Sequence, residues 1–161
     1  MNILFIEDEK ELLEIAISQL VRLGHVVFPA LDIAEAREVL HDPSKNIQMV
    51  ITDHRLPDGR GIQFAVELKK TYPQARLAIV SGCLTDSDIA ELEAHELLYF
   101  RKPLLYGKVV ETVRKHYSMK ANIVQPVSVD EFEEEGVELA EVEEVKKKKL
   151  WSLFNKTPKS S

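Results

Sequence analysis

The chain has 161 residues, 45% of them hydrophobic and 30% charged, with a formal net charge of −6; this is the make-up of one globular domain plus an extension. The acidic balance argues against a phosphate-binding nucleic-acid surface, which needs a basic face, and no apolar run nears the ~20 residues of a membrane span. The start, "MNILFIEDEKELL", meets acid at once, unlike a secretory leader, and the single cysteine, Cys83, excludes an internal disulfide and suits a reducing cytoplasm.

Short apolar runs then alternate with helical patterns. Asn2–Ile6 reads as a buried strand. "EKELLEIAISQLVRL" follows, with Leu12, Ala16, Leu20 and Leu23 at helical spacing and Gly24 as its stop. His25–Ala30 is a second strand, and Pro29 places it at its end or on a sheet edge. "DIAEAREVL" opens on an Asp32-x-x-Glu35 capping box. Gln48–Thr52 is a third strand. "IQFAVELKKTY" is a helix that Pro73 ends. Arg76–Ser81 is a fourth strand. "TDSDIAELEA" carries a second capping box, Thr85-x-x-Asp88, and Leu97–Phe100 is a short fifth strand. "LYGKVVETVRKHY" closes the domain as a fifth helix.

Five strands and five helices in strict alternation predict an α/β domain over residues 1–117. Strands that are apolar on both faces need helices above and below, so the sheet is parallel, doubly wound and three-layered, with order 2-1-3-4-5. In such sheets the site lies at the strands' carboxyl ends, where the order reverses between the first and third strands. Residues 118–161 change character: an acidic stretch from Asp130 to Glu144 gives way to the lysine-rich "KKKKLWSLFNKTPKSS". That tail is too short and too charged to build its own core.

The strand ends carry the chemistry. The first strand runs into Glu7 and Asp8, the third into Asp53, the fourth ends on Ser81, and the fifth leads to Lys102-Pro103. Three carboxylates that converge cannot all ionise comfortably without a cation, and hard oxygen donors with room for water suit Mg²⁺. Lys102 adds a positive charge and Ser81 a hydroxyl. Such groups around Asp53 would stabilise a transferred phosphoryl group, with Asp53 as the nucleophile that forms an acyl phosphate.

These segments, "FIEDE", "VITDHRLPDGRG", "AIVSG" and "YFRKPL", resemble the receiver (CheY-like) domain of bacterial two-component response regulators. The resemblance covers Met1 to about Tyr117 and implies a flavodoxin-like fold. It implies Asp53 as phosphoacceptor, and Glu7, Asp8 and Asp53 as Mg²⁺ ligands with the backbone carbonyl of Arg55. It implies Ser81, Lys102 and Tyr99 as the phosphoryl-binding and switch residues, and Pro57, Gly61 and Pro103 as loop geometry, with a Lys102–Pro103 peptide that is commonly cis. Arg55 and Cys83 lie two positions beyond Asp53 and Ser81, positions that in the family border the path of the hydrolytic water, which makes them candidates for tuning phosphoryl lifetime. It implies as partners a sensor histidine kinase or phosphotransfer protein, and a protein target on the face of the fourth helix, fifth strand and fifth helix, where homodimerisation is also open. The chain departs from the common pattern at Leu56, where methionine is frequent, at Gly82, where alanine is usual, and in "EAHELLYF", which lacks the usual Gly-Ala pair.

Other readings are weaker. Haloacid dehalogenase phosphatases also use an aspartate nucleophile, but need a second Asp where Arg55 stands, and a flavodoxin would need a Gly-rich loop where "EDEKE" stands. The expectation is a signalling domain rather than an enzyme, one that catalyses only its own phosphorylation and dephosphorylation. His54 should point away from Asp53 if strand alternation continues, which makes it structural. No room for a helix-turn-helix domain follows Tyr117, so no DNA binding is expected. The alternative to a working receiver is a phosphorylation-independent adaptor whose tail acts. In "VKKKKLWSLFNK", Leu150, Leu153 and Phe154 share a helical spacing beside Trp151 and lysines, a pattern fit for a partner groove or an anionic membrane. Composition favours a solvated tail instead.

Overall fold

The computed structural model describes residues 1–123. Strands β1 (Asn2–Ile6), β2 (Val26–Ala30) and β3 (Met49–Asp53) are separated by α1 (Lys10–Arg22), α2 (Ile33–His41) and a 3-10 turn at Pro43–Lys45. A two-residue hairpin, β4 (Arg55–Leu56) and β5 (Gly59–Arg60), leads into α3 (Gly61–Thr71), and β6 (Leu77–Ser81), α4 (Asp86–Ala94), β7 (Leu98–Arg101) and α5 (Tyr106–Ile123) complete the fold. The main sheet is wholly parallel, in the order β2-β1-β3-β6-β7. β6 and β7 are the expected fourth and fifth strands, so the expected order holds; the hairpin was not anticipated, because two-residue strands leave no periodic signal.

The buried apolar residues of the inner strands divide between two cores. Ile3, Phe5, Met49, Ile51, Ala78 and Val80 pack under α1 and α5, while Leu4, Ile6, Val50, Leu77 and Ile79 pack under α2, α3 and α4. Burial on both faces is what makes these strands read as continuous apolar runs. β2 lies on the edge, and Pro29 is exposed there, where its missing N–H costs no ladder bond.

The helix faces differ in detail from the expectation. In α1 the buried positions are Leu13, Ala16 and Leu20, whereas Leu23 is 59% exposed. Leu23 is already the C-cap, and Gly24 follows at φ 80, the left-handed conformation that ends helices cheaply in glycine. The first capping box is half formed. Asp32 accepts from the Glu35 N–H at 2.7 Å, but Glu35 accepts from the Leu31 N–H rather than from the cap residue. The second is complete: Thr85 accepts from the Asp88 N–H, and Asp88 from the Thr85 N–H. α5 continues past Tyr117 to Ile123. The acidic run and the lysine-rich amphipathic stretch lie outside the described residues.

α4 ends unusually. Glu96, just past its C-cap His95, adopts φ 50, where a side chain costs about 1–2 kcal/mol and glycine almost nothing. Lys69 compensates from α3, donating to the His95 carbonyl and lying 3.6 Å from the exposed Glu96 carboxylate. Glu96→Gly should therefore raise stability by about 0.5–1 kcal/mol, since an exposed ion pair returns little. An unchanged or lowered urea midpoint would show that Lys69 and Glu96 matter more than the backbone.

Candidate functional site

β1, β3, β6 and β7 present their carboxyl ends side by side, and Glu7, Asp8, Asp53, Ser81 and Lys102 lie in or just beyond those ends. Glu7 follows β1 and is fully buried; Asp8 beside it is exposed. Asp53 closes β3 at 8% exposure. One oxygen from each of these three carboxylates falls within 4.8 Å of the others. Lys102, just after β7, bridges two of them, hydrogen-bonded to Glu7 Oε2 and lying 3.0 Å from Asp53 Oδ2. Asp53 Oδ1 accepts from the backbone N–H of His54.

The electrostatics follow from burial. Burial pushes the Glu7 carboxyl above its ordinary value, and the Lys102 contact offsets this only in part. Burial also acts against the Lys102 ammonium, but its hydrogen bonds to Glu7 and Asp53 outweigh that and hold its pKa above normal. Two buried carboxylates therefore share one ammonium, with Asp8 beside them open to solvent. This donor set fits a hard, partly hydrated divalent cation.

Ser81 and Tyr99, the expected switch residues, are engaged elsewhere. The Ser81 hydroxyl, buried at the end of β6, donates to the Cys83 carbonyl at 3.1 Å and accepts from the Cys83 N–H at 3.3 Å. Tyr99 in β7 is partly buried against the core beneath α3 and α4. Cys83 and the Arg55 side chain are exposed, and the Lys102–Pro103 peptide is cis.

The loop after Asp53 is clamped on three sides. Asp58 accepts from the Ile33 and Ala34 N–H groups, both at 2.9 Å, and so caps α2 from outside. The Gly61 N–H donates to the His54 carbonyl at 2.8 Å. On the far side His54 and Arg60 reach α4. The His54 ring points away from Asp53, as strand alternation requires, and its Nε2 lies 3.3 Å from Asp88 Oδ1. Arg60 bonds the same Asp88 oxygen and Glu91 Oε2, each at 2.8 Å. Donation from the Thr85 backbone and hydroxyl, aided by His54 and Arg60, holds Asp88 well below the usual carboxylate range, at about 2. Burial pushes the His54 imidazole down, with Asp88 opposing only in part. The ring thus faces Asp88 through Nε2, and Nδ1, buried, has no hydrogen-bond partner.

Sequence reasoning did not reach this polar cluster. Asp88 was legible as a capping residue, but its second role depends on a helix start landing beside the β3 loop. Tyr106 was also missed: it is buried near Glu7, Lys102 and Asp53, edge-on to Phe5 with ring centroids 5.1 Å apart. Its helical spacing with Val109, Val110 and Val113 was the available signal.

No helix among the described residues is long and apolar enough to cross a membrane. Residues 3–114 match the family described as the response regulator receiver domain. The chain is 28% identical over 129 residues to the response regulator protein PilR of Pseudomonas aeruginosa, covering 79% of this chain and 28% of PilR. It is 28% identical over 140 residues to the KDP operon transcriptional regulatory protein KdpE of Escherichia coli, covering 86% of this chain and 61% of KdpE. It thus spans less than two thirds of the length of these relatives. Among solved structures, a response regulator receiver domain from Clostridium thermocellum is similar at a TM-score of 0.63 and 27% identity, over 76% of this chain and 98% of that one.

Proposed function

This chain belongs to the response regulator receiver family, and we propose that it accepts a phosphoryl group on Asp53 and passes that event to a protein-binding face. Receiver domains pair with sensor histidine kinases and typically bind Mg²⁺. The observation that carries the reading is the setting of Asp53: a nearly buried carboxylate at a strand end, held by the His54 N–H and the Lys102 ammonium, beside Glu7 and Asp8.

In the proposed reaction an Asp53 carboxylate oxygen attacks the phosphorus of a phosphohistidine on a kinase or phosphotransfer protein. An O–P bond forms and the P–N bond breaks. The imidazole leaves with the bonding pair and takes a proton from solvent. Glu7, Asp8 and Asp53, with the Arg55 carbonyl, would hold Mg²⁺, which supplies neutralising charge for the phosphoryl oxygens. Lys102 stays ionised and pairs with the same oxygens. Ser81 exchanges its Cys83 contacts for the phosphoryl group, Tyr99 follows inward, and the α4–β7–α5 face shifts in population toward its target-binding form. The exposed Arg55 and Cys83 flank the path of the hydrolytic water and set the lifetime of the acyl phosphate.

Incubation with acetyl phosphate and Mg²⁺ should add one phosphoryl mass to the intact wild-type chain. The adduct should be absent without Mg²⁺ and absent in Asp53→Asn. No adduct on the wild type, under conditions that label another receiver, would leave a phosphorylation-independent adaptor as the reading.

A further inference from the structure

His54 follows the reacting residue in sequence yet sends its side chain to another element. Its backbone N–H donates to Asp53 Oδ1, and its imidazole meets Asp88 Oδ1 in the first turn of α4. His54 is 3% exposed and Asp88 8%. Asp88 is itself fixed from three directions, by the Thr85 N–H at 2.9 Å, the Thr85 hydroxyl at 2.7 Å and the Arg60 guanidinium at 2.8 Å. A displacement of the His54 backbone therefore cannot be absorbed by solvent or by a loose partner. It has to move Asp88 or break the contact.

α4, which the contact reaches, is lightly anchored compared with its neighbour α3. Its buried residues are Asp88 and Leu92 alone, against five in α3. Few apolar contacts hold it to the sheet, so its start is secured by polar ones, and elements held in this way open at low free-energy cost.

We propose that His54 is a positioning residue that couples Asp53 to α4: it presents the N–H that holds the Asp53 carboxylate and, through Asp88, ties that N–H to the start of the helix. A change in the charge or bonding of Asp53 then reaches α4 by a second route, separate from Ser81 and Tyr99. The signalling meaning rests on Asp53 being the phosphoacceptor; the mechanical link does not.

The test is amide hydrogen exchange over residues 86–94 in the full chain, as a cycle between Asp53→Ala and His54→Leu. Asp53→Ala deletes the acceptor of the His54 N–H. In the presence of His54 it should change α4 exchange by at least about twofold, the smallest effect expected of directly coupled residues. In the His54→Leu background that response should vanish, and His54→Gln, whose amide can still donate to Asp88, should restore it. A purely structural His54 would shift the α4 baseline equally with and without Asp53. Asp88→Ala breaks the link from the other side and should also abolish the response, which keeps the proposal testable should His54→Leu fail to fold. An α4 response of the same size in every background, or none in the wild type, would overturn it. The acetyl phosphate adduct is read separately: labelling without coupling sinks this link alone, and coupling without labelling sinks the phosphoacceptor reading alone.

Discussion

Gly61→Ala is expected to cost at least about 3 kcal/mol of stability, lowering Tm by about 10 °C or more. A Cβ on Gly61 would stand 1.8 Å from the Asp53 carbonyl oxygen, 2.9 Å from its carbon and 3.0 Å from Thr52 Oγ1. The principal obstacle is backbone, which no rotamer change relieves. Gly61 is the first residue of α3, and its N–H is bonded to the His54 carbonyl at 2.8 Å. Relief thus requires α3 to move off the end of β3, dragging the loop that Asp58 and Arg60 fasten to α2 and α4. The same displacement shifts Asp53, so Mg²⁺ binding and acyl phosphate formation should fall with stability.

The other glycines calibrate the claim. A Cβ on Gly59 meets only the tip of the Ile33 side chain, at 2.9 Å, and one on Gly82 meets nothing within 4 Å. Thermal melts should rank Gly61→Ala far below Gly59→Ala, with Gly82→Ala within about 0.5 kcal/mol of wild type or slightly above it. Three similar melting temperatures would mean that the approach of α3 to β3 is looser than the structure has it.

How much of this was readable beforehand depends on the range of the interaction. The five main strands were legible because burial on both faces leaves unbroken apolar runs such as "NILFI" and "LAIVS", and the sheet order followed from the strict alternation with helices. Glu7, Asp8, Asp53 and Lys102 were legible because parallel strands deliver their last residues to one edge, which turns a one-dimensional rule into a place. The misses have local physical causes. Leu12 and Leu13 are adjacent, so periodicity alone did not choose the buried one; contact with the strands beneath α1 did. Glu96 in a left-handed conformation carries no mark, since the residue that would announce it, glycine, is absent. The His54–Asp88–Arg60 cluster joins residues about thirty positions apart; nothing in the spacing of either segment shows that the first turn of α4 and the β3 loop share a wall.

Lys102→Met should destabilise the protein at neutral pH by about 3–5 kcal/mol, the cost of removing one partner from a buried charge pair. The Lys102 side chain is 13% exposed, Glu7 not at all, and Asp53 11%. Without the ammonium two buried carboxylates face each other with no compensation. The pH dependence separates this from lost packing. Burial already sets the folded-state value of Glu7 above its unfolded value near 4.5, so the folded protein binds a proton that the unfolded chain has released, and stability falls as pH rises through that window. Removing Lys102 lifts the Glu7 value further, which widens the window upward. The deficit relative to wild type should therefore be small near pH 4.5, where Glu7 keeps its proton, and full near pH 7.5; urea titrations at the two values measure it. The raised pKa of Lys102 itself leaves its contribution intact at both, since that is lost only as pH rises through the ammonium's own folded value, above 10.5. Two additions sharpen the test. Glu7→Gln in the Lys102→Met background should recover part of the loss, because one of the facing charges is gone. Mg²⁺ should raise Tm more in Lys102→Met than in wild type, since the carboxylates it would neutralise no longer share an ammonium. An equal deficit at both pH values, with no added response to Mg²⁺, would assign Lys102 to packing and remove it from the charge balance around Asp53.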